Sequence, residues 1–538
     1  MNLTTEQKAA IDYPHNAVIT ACPGSGKTTI LIYKIKSLLT HCKNYQGIIA
    51  ISYTNKASDE LKKRCQSLIF DTKESFFGTI DKFYLKEIII PFLKQIWGTP
   101  TSLISTFKYS DLSVDNKELV NIYFPLDNID FTLLNDNLNN LVKLFKSGII
   151  VLETIPILAF IVLCNSESCK RYIKAKYKGI FIDEYQDSGV VQHRIFLKLA
   201  EIGLISIAVG DLEQSIYGYS GRSPESLKKL ILEPRFKHLT ITINHRCHPS
   251  ISNYANRLMR PDCALLETNE QRVFRKKING NQTEIARWIG VNLDEIKKHY
   301  AINKNRDVAI LVRSNLCASI IASNVNYPNR AYFDDLLSKL DGVTTDLIKN
   351  LLSYRYENNT AQSIIDSFYK NISNKMIITS LRRKIKEVRV CDDDQLIIKI
   401  KDVVFLLIDK DISVSHVDAI NEVINNVEIR NNYKKSSDNE IQILTLHKSK
   451  GLEFDFVFHI DLYDWILPRR AFIKGSYDIV FENEEQCLNL HYVGITRAKK
   501  GIVLITSTKR LNSDLEEKNG NPSQFLERQG LAELYLQL

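Results

Sequence analysis

Strand-like apolar runs and helical patterns alternate along the first part of the chain. Residues 17–20 and 46–52 form short apolar runs, which are typical of buried strands in a parallel sheet, and each is followed by apolar positions at helical spacing. Similar runs return at 178–182, 205–209, 239–243 and 308–312. The pattern predicts an α/β fold. Polar residues that follow the strands should gather at the carboxyl edge of the sheet, where such sheets bind their ligands.

Two long stretches interrupt this alternation. Residues 84–170 and 316–439 show mainly helical spacing joined by polar segments, with no glycine loop or catalytic cluster. They are predicted to be helical insertions within the α/β framework.

Composition places the chain among ordinary globular proteins. Its 538 residues are 44% hydrophobic and 25% charged, which suggests roughly two to four domains. Lysine and arginine (71) exceed aspartate and glutamate (62), a mild excess that favours polyanionic partners. The ten cysteines form no CxxC pair, and neither a signal peptide nor a membrane-length apolar run is present. We therefore expect a cytoplasmic protein with no membrane partner.

Residues 21–28 read Ala-Cys-Pro-Gly-Ser-Gly-Lys-Thr and lie between a predicted strand and a predicted helix. Gly24 and Gly26 would let successive N–H groups and the helix N-terminus point at an anion. Lys27 would then reach the β and γ phosphates of a nucleotide, and Thr28 would offer its hydroxyl to Mg²⁺. A glycine-rich turn without a ligand is the alternative.

The strand at 178–182 delivers two carboxylates, Asp183 and Glu184, to its end. One could hold Mg²⁺ through water, and the other could orient an attacking water. Paired acids at the end of a strand also occur as structural caps without a catalytic role. Together with a phosphate loop, however, they indicate ATP hydrolysis. After the next strand, Gln214 could sense a γ-phosphate, while Tyr217 and Tyr219 could stack on bases.

In their order along the chain, these and further motifs resemble those of the superfamily 1A DNA helicases of the UvrD, Rep and PcrA type. The matching stretches are residues 3–10, Tyr53-Thr-Asn-Lys-Ala57, Asp183-Glu-Tyr-Gln-Asp187, residues 210–218, Asn244-His-Arg246, Arg313-Ser-Asn315, residues 441–454 and residues 490–498. On local sequence alone, helix capping explains Thr54 and Asn55 equally well.

The resemblance implies two RecA-like lobes with parallel sheets, each interrupted by a helical insertion. The expected boundaries are 1–83 and 170–235 for lobe 1A, 84–169 for insertion 1B, 236–315 and 440–510 for lobe 2A, 316–439 for insertion 2B, and 511–538 for a C-terminal tail.

The resemblance also implies roles for individual residues. For ATP binding it implies Gln7, Ala21, Cys22, Pro23, Gly24, Ser25, Gly26, Lys27, Thr28, Thr29, His245, Arg246, Glu453 and Arg497. For catalysis it implies Lys27, Asp183, Glu184, Gln214, Arg246 and Arg497, with Thr28 and Asp183 holding Mg²⁺. For DNA it implies Tyr53, Thr54, Asn55, Thr79, Tyr217, Tyr219, Arg313, Ser314, Asn315 and His447. Arg246 is expected on the second lobe, and His245 stands where the family usually has a tyrosine that packs on adenine.

The expected function is that of an ATP-dependent 3′-to-5′ translocase and helicase on single-stranded or tailed duplex DNA. Because the chain is short for this family, it also resembles the helicase subunits of Gabija antiphage systems, which work beside an OLD-family nuclease. The alternative function is therefore a DNA-sensing ATPase that regulates an associated nuclease and unwinds little by itself.

Overall fold

The computed structural model describes residues 3–52, 55–69, 71–109, 112–124, 133–216, 224–340, 342–368, 375–435, 437–471 and 480–538. The chain divides into two compact units, Met1–Arg246 and Cys247–Leu538. Tyr53, Thr54, Tyr217 and Tyr219 lie outside the described residues.

The first unit is built on a parallel sheet. Its strands are β1 (Ala17–Ala21), β2 (Gly47–Ile51), β3 (Phe76–Gly78), β4 (Ser105–Phe107), β5 (Ile149–Val151), β6 (Tyr177–Ile182), β7 (Ile205–Gly210) and β8 (Lys237–Ile241). Six of these described strands form the main sheet in the order β3-β2-β6-β7-β1-β8, and β4 pairs with β5 separately. The central strands are buried along almost their whole length, as their apolar runs predict.

Helices cover this sheet and build the first insertion. They are α1 (Thr5–Asp12), α2 (Lys27–Thr40), α3 (Asn55–Ile69), α4 (Ile80–Phe83), α5 (Ile90–Trp97), α6 (Val114–Val120), α7 (Leu133–Lys146), α8 (Ile155–Asn165), α9 (Glu167–Lys176), α10 (Val190–Ile202) and α11 (Glu225–Ile231). A π-helical segment, Tyr84–Ile89, joins α4 to α5. Helix α8 is apolar on nearly all sides and lies in the core.

A buried ion pair closes the base of the first insertion. Glu87, in the π-helical segment, accepts hydrogen bonds from Lys176 (2.7 Å) and from the Tyr172 hydroxyl (2.7 Å). The chain leaves the sheet near Glu87 and returns to it through Lys176. These contacts therefore link the start of the helical stretch to the helix that leads back into β6.

The strand at 237–241 corrects one prediction. We expected it to begin the second lobe, but β8 pairs in parallel with β1, from Ala17 opposite Lys237 to Ala21 opposite Ile241. An alternating pattern shows which face of a strand is buried, but it does not identify the neighbouring strand. The first sheet therefore extends past the boundary expected at 235.

The second unit contains a second parallel sheet. Its strands are β9 (Val273–Ile278), β10 (Val308–Val312), β11 (Asn329–Tyr332), β12 (Ile441–Thr445), β13 (Phe454–His459), β14 (Ala498–Ser507), β15 (Lys509–Leu511), β16 (Glu517–Asn519) and β17 (Leu536–Gln537). Seven described strands form the main sheet in the order β11-β12-β10-β13-β14-β9-β17. With two large parallel sheets, the predicted α/β class is confirmed.

The helices of this unit are α12 (Pro249–Met259), α13 (Gln282–His299), α14 (Asn315–Asn324), α15 (Val343–Arg355), α16 (Ala361–Phe368), α17 (Lys375–Val390), α18 (Asp393–Ile408), α19 (Val414–Asn425), α20 (Val427–Arg430) and α21 (Glu484–Ile495). Helices α15 to α20 form the helical stretch that we expected as an insertion. This helical stretch begins later than the expected residue 316, because β11 (Asn329–Tyr332) still pairs with β12 in the sheet. The stretch expected as a tail also contributes a strand, since β17 pairs with β9.

Among the described residues, no single helix is both long enough and apolar enough to cross a membrane. Within the described part of the chain, one pair of helices, Leu152–Asn165 and Glu167–Lys176, meets those limits when taken together, and the two are bent by 98° with respect to each other.

Candidate functional site

The phosphate loop follows β1, which lies between β7 and β8 in the first sheet. Gly24 and Gly26 adopt φ values of 72° and 82°, in the left-handed region that favours glycine, and α2 begins at Lys27. An added Cβ at Gly24 would lie 2.3 Å from Asn244 Oδ1 and 2.4 Å from Arg246 Cβ. The loop thus has the left-handed turns and the open helix N-terminus that a phosphate cradle needs.

Other residues of the loop hold its shape. Ser25 is fully buried, and its hydroxyl donates to the Cys22 carbonyl (2.7 Å). Pro23 is also buried, whereas Thr28 and Thr29 lie half-buried in the first turn of α2. Ala21 is the last residue of β1. These residues therefore form one continuous turn at the carboxyl end of a central strand.

Lys27 has a partner that the sequence did not single out. Its ammonium donates to the Ala21 carbonyl (3.0 Å) and to Asp211 Oδ2 (3.2 Å), and the two side chains are only 12% and 7% exposed. Asp211 directly follows β7, the strand next to β1. Its position after Gly210 at a strand end was the signal that could have identified it.

Asp211 links the loop to the two other predicted catalytic stretches. Gln214 donates its side-chain amide to Asp211 Oδ2 (2.6 Å), and the Asp211 backbone N–H donates to Gln186 Oε1 (3.0 Å). The side-chain amide of Gln186 in turn donates to Glu184. A mostly buried hydrogen-bonded chain therefore connects Lys27, Gln214 and Glu184 through two residues that sequence reasoning missed.

The two predicted acids lie at the end of β6, as expected. The Asp183 N–H donates to the Ile51 carbonyl (3.0 Å), and Asp183 Oδ1 accepts the N–H of Glu184 (3.0 Å). Glu184 has φ of 55°, an uncommon value for a residue with a side chain, and both acids are half-buried. This turn places carboxylate oxygens at the same sheet edge as the phosphate loop.

This donor set fits Mg²⁺. No cluster of three or more potential metal ligands of the His, Cys, Asp or Glu type occurs in the part of the chain that the structure describes. Mg²⁺ commonly takes only one or two protein carboxylates and completes its shell with water and phosphate oxygens. Asp183 and the Thr28 hydroxyl are oxygen donors of that kind.

Gln7 belongs to α1 and contacts the loop directly. Its side chain accepts from Thr4 N–H (2.9 Å) and donates to the Ser25 carbonyl (2.9 Å). Buried Lys34 fixes the other end of α1 by donating to the Ala10 (2.8 Å) and Tyr13 (2.7 Å) carbonyls. Burial lowers the pKa of Lys34 to about 8. Helix α1 is thus tied to the phosphate loop through Gln7 and to α2 through Lys34.

Asn244, His245 and Arg246 lie beside the phosphate loop in the first unit. His245 N–H donates to the Gly24 carbonyl (3.0 Å), and Arg246 N–H donates to Asn244 Oδ1 (2.8 Å). The expectation that Arg246 belongs to the second lobe is therefore wrong. The cause is the placement of β8, which brings the residues after it to the edge next to β1.

In the second unit, Arg497 follows α21 and is only 1% exposed. Its guanidinium donates to the Val493 and Leu452 carbonyls (both 3.0 Å). Glu453 is the residue after Leu452, and the next residue, Phe454, donates its N–H to the Arg497 carbonyl (2.9 Å). The structure therefore brings together two residues that are far apart in sequence and were both predicted to serve the nucleotide.

Predicted DNA-binding residues also gather at one edge of the second sheet. Arg313 and Ser314 follow β10, while His447 follows the neighbouring strand β12. Burial, aided by the charge of Arg313, lowers the pKa of His447 to about 4, so this histidine is neutral near pH 7. Asn315 begins α14, which Ser314 caps by accepting the Cys317 N–H (3.2 Å).

On the first unit, Thr79 precedes α4 and accepts the Phe83 N–H at its carbonyl (3.1 Å). Asn55 begins α3. The other DNA contacts predicted for this unit lie outside the described residues.

Comparisons with known proteins agree with this arrangement. The UvrD/REP helicase N-terminal domain matches residues 3–94 and 126–235, and the UvrD-like helicase C-terminal domain matches residues 328–509. Gabija protein GajB of Bacillus cereus (strain VD045) is 29% identical over 93% of this chain and 95% of its own length.

Two proteins named ATP-dependent DNA helicase Rep are also similar. That of Buchnera aphidicola subsp. Schizaphis graminum is 25% identical over 98% of this chain and 96% of its own length. The Rep protein of Escherichia coli (strain K12) is 23% identical over 98% of this chain and 94% of its own length. With both halves of one family matched in order, and relatives aligned over nearly their whole length, this chain belongs to the UvrD/Rep family of ATP-dependent DNA helicases.

Proposed function

We propose that this protein moves 3′ to 5′ along single-stranded DNA and separates tailed duplexes, driven by hydrolysis of ATP with Mg²⁺. The observation that carries the proposal is the hydrogen-bonded chain from Lys27 through Asp211 to Gln214 and Glu184. ATP hydrolysis depends mainly on positioning and charge neutralisation, and this chain joins the groups that would do both.

In this proposal each group at the edge of the first sheet has one task. Lys27 and the N–H groups of the loop bind the phosphates, and Glu184 orients the attacking water. Gln214, fixed by Asp211, contacts the γ-phosphate. Mg²⁺, held by Thr28 and Asp183, would supply charge neutralisation at the transferring phosphate.

Arg246 and Arg497 are proposed to stabilise the charge that develops during hydrolysis. The guanidinium of Arg497 donates to two backbone carbonyls. Phosphate oxygens are stronger acceptors than neutral carbonyls and could replace them. Gln7 and His245 would contact the base, and Glu453 would contact the nucleotide.

The polarity is tested by strand displacement on two duplexes of equal length and sequence, one with a 3′ tail and one with a 5′ tail. We expect ATP-dependent separation of the 3′-tailed duplex only. Separation of the 5′-tailed duplex at an equal or greater rate would contradict the proposed direction. Lys27→Ala serves as the control for unwinding that does not require hydrolysis.

A second candidate is a DNA-sensing ATPase within an antiphage complex that contains a nuclease, with an OLD-family nuclease as the partner. It is favoured by the similarity to Gabija protein GajB over almost the whole of both chains. ATP hydrolysis and strand displacement measured in the same reaction separate the two candidates. Strong DNA-stimulated hydrolysis without any displaced strand supports the second candidate, and efficient displacement by the isolated chain rules it out.

A further inference from the structure

The segment after β13 holds an aromatic side chain in an unusual position. Trp465 has φ of 72°, in the left-handed region that bulky residues rarely adopt, and its side chain remains 45% exposed. Residues kept in such conformations need support from their surroundings and are concentrated at functional sites. An exposed indole on a strained backbone therefore calls for a functional explanation.

The backbone around Trp465 is fixed by several hydrogen bonds. The N–H groups of Ile466 (3.1 Å) and Leu467 (3.0 Å) both donate to the Tyr463 carbonyl. Trp465 N–H donates to Asp464 Oδ1 (3.0 Å), and Asp464 N–H donates to the Asn521 carbonyl (3.0 Å). The indole is therefore presented by a rigid turn.

An arginine supports the indole from one side. Arg470 forms a two-point ion pair with Asp464, at 2.7 and 2.6 Å, and its guanidinium carbon lies 5.3 Å from the centre of the Trp465 ring. At this distance the guanidinium attracts the ring through a cation–π interaction. The adjacent Arg469 is 67% exposed and forms an ion pair with Glu482 (3.1 Å). An exposed aromatic ring and an exposed cation thus belong to the same short segment, four residues apart.

The segment that carries this group starts at the edge of the second sheet where DNA contacts are expected. Asp461, two residues after β13, accepts the backbone N–H of Arg313 (2.8 Å). Arg313 follows β10, the neighbour of β13, and His447 follows β12 on the other side of β10. The segment that carries Trp465 therefore leaves the sheet at the polar edge where Arg313 and His447 lie.

We propose that Trp465 is a stacking platform for a base of single-stranded DNA, with Arg469 contacting a neighbouring phosphate. Aromatic rings accept any base, as a motor that moves along varied sequences requires. Tryptophan with arginine is also common at protein interfaces. The position at the DNA edge of a DNA helicase favours the nucleic acid. This inference rests on the proposed movement along single-stranded DNA.

The tryptophan content allows a direct test. The chain has three tryptophans, Trp97, Trp288 and Trp465, so the double variant Trp97→Phe/Trp288→Phe leaves Trp465 as the only one. We expect the tryptophan fluorescence of this double variant to fall on titration with an oligothymidine of about 20 nucleotides. An abasic strand of the same length should leave the fluorescence unchanged. Fluorescence that does not respond to the oligothymidine, although the strand binds, would overturn the proposal.

A binding measurement with the full chain gives an independent test. Trp465→Ala should weaken oligothymidine binding about ten- to hundredfold, while Trp465→Phe should retain most of the affinity. Trp288→Phe, which changes a half-buried tryptophan of the same unit, is the control. Unchanged affinity of Trp465→Ala would refute the platform. Failure of the wild-type chain to bind the strand would instead count against the proposed function.

Trp465→Gly separates a binding role from a structural one. Glycine relieves the left-handed strain, so we expect the melting temperature to stay the same or rise while oligothymidine affinity falls. A lower melting temperature with unchanged affinity would show that Trp465 serves packing. A third outcome is that Trp465→Gly alters neither property. If, in addition, a protein subunit protects the Trp465 indole of the unsubstituted chain from quenching by acrylamide, then Trp465 belongs to a protein interface and the proposal fails.

Discussion

Replacing Asp211 by asparagine tests whether the buried chain at the first sheet edge organises hydrolysis. Asp211 Oδ2 accepts both Lys27 (3.2 Å) and Gln214 (2.6 Å), and the Asp211 side chain is only 7% exposed. Asparagine keeps the size of the side chain but removes its charge. An asparagine side chain has only one oxygen acceptor, and its other terminal group is an amide N–H₂ donor. In one orientation this N–H₂ would face the Glu213 N–H, which Asp211 Oδ1 now accepts. In the other orientation it would face the donors of Lys27 and Gln214.

The expected loss can be estimated from this geometry. One hydrogen bond to a charged group contributes about 1.5–3 kcal/mol, which corresponds to roughly a ten- to hundredfold change in rate. Because Gln214 would lose its fixed orientation, we expect the loss mainly in kcat. The KM for ATP should change much less, since the loop and Lys27 remain able to bind phosphate.

The assay is steady-state ATP hydrolysis at saturating single-stranded DNA, with a melting curve for each variant. Asp115→Asn, which neutralises an exposed acid in α6, is the matched control. A wild-type kcat in Asp211→Asn, with the same melting temperature, would refute the role given to the chain. A loss confined to the KM for ATP would show that Asp211 serves binding alone.

Other residues of the two units give three further tests. Arg497→Ala should bind ATP but hydrolyse it at least about tenfold more slowly, because a charge that acts in the transition state is lost; an unchanged kcat would exclude that role. Gly24→Ala should lower ATP affinity, measured by calorimetry, because the added Cβ would lie 2.3 Å from Asn244 Oδ1; wild-type affinity would contradict so close an approach of the loop to Asn244. Burial lowers the pKa of His459 to about 4 and that of His491 well below its usual value, so the folded protein keeps both neutral while the unfolded chain binds protons near pH 6.5. Stability should therefore fall as the pH drops from 6.5 towards 4, by about 1.4 kcal/mol per pH unit for each histidine, and equal denaturation midpoints at pH 7 and pH 5 would contradict this.

Much of the first sheet edge could be predicted from the sequence, because it depends on local patterns. The loop before Lys27 and the acids after β6 follow directly from an apolar run that ends in polar residues. Their common edge follows from the rule that parallel strands align their carboxyl ends. The α/β class was predicted on the same basis, whereas the division into two parallel sheets was an expectation from the family resemblance.

Strand neighbours could not be predicted in the same way. The pattern of β8 fits either sheet, and only its pairing with β1 places Arg246 in the first unit. Strands β11 and β17 are short, and they gain their stability from β12 and β9 rather than from their own sequences. Such partners are set by tertiary packing, which local periodicity does not encode.

The missed site residues have a similar explanation. Asp211 and Gln186 matter through hydrogen bonds to residues distant in sequence, and the role proposed for Trp465 rests on its backbone conformation. Asp211 at least follows a strand, which is a usable signal. Nothing in the sequence indicates that Trp465 adopts a positive φ.

The most direct test of the central claim is ATP hydrolysis by the wild-type chain and by Lys27→Ala, each with and without single-stranded DNA. We predict that DNA strongly stimulates hydrolysis by the wild type. We also predict that Lys27→Ala binds the same DNA but shows no turnover. Wild-type hydrolysis that does not respond to DNA, or turnover at the wild-type rate in Lys27→Ala, would contradict the claim.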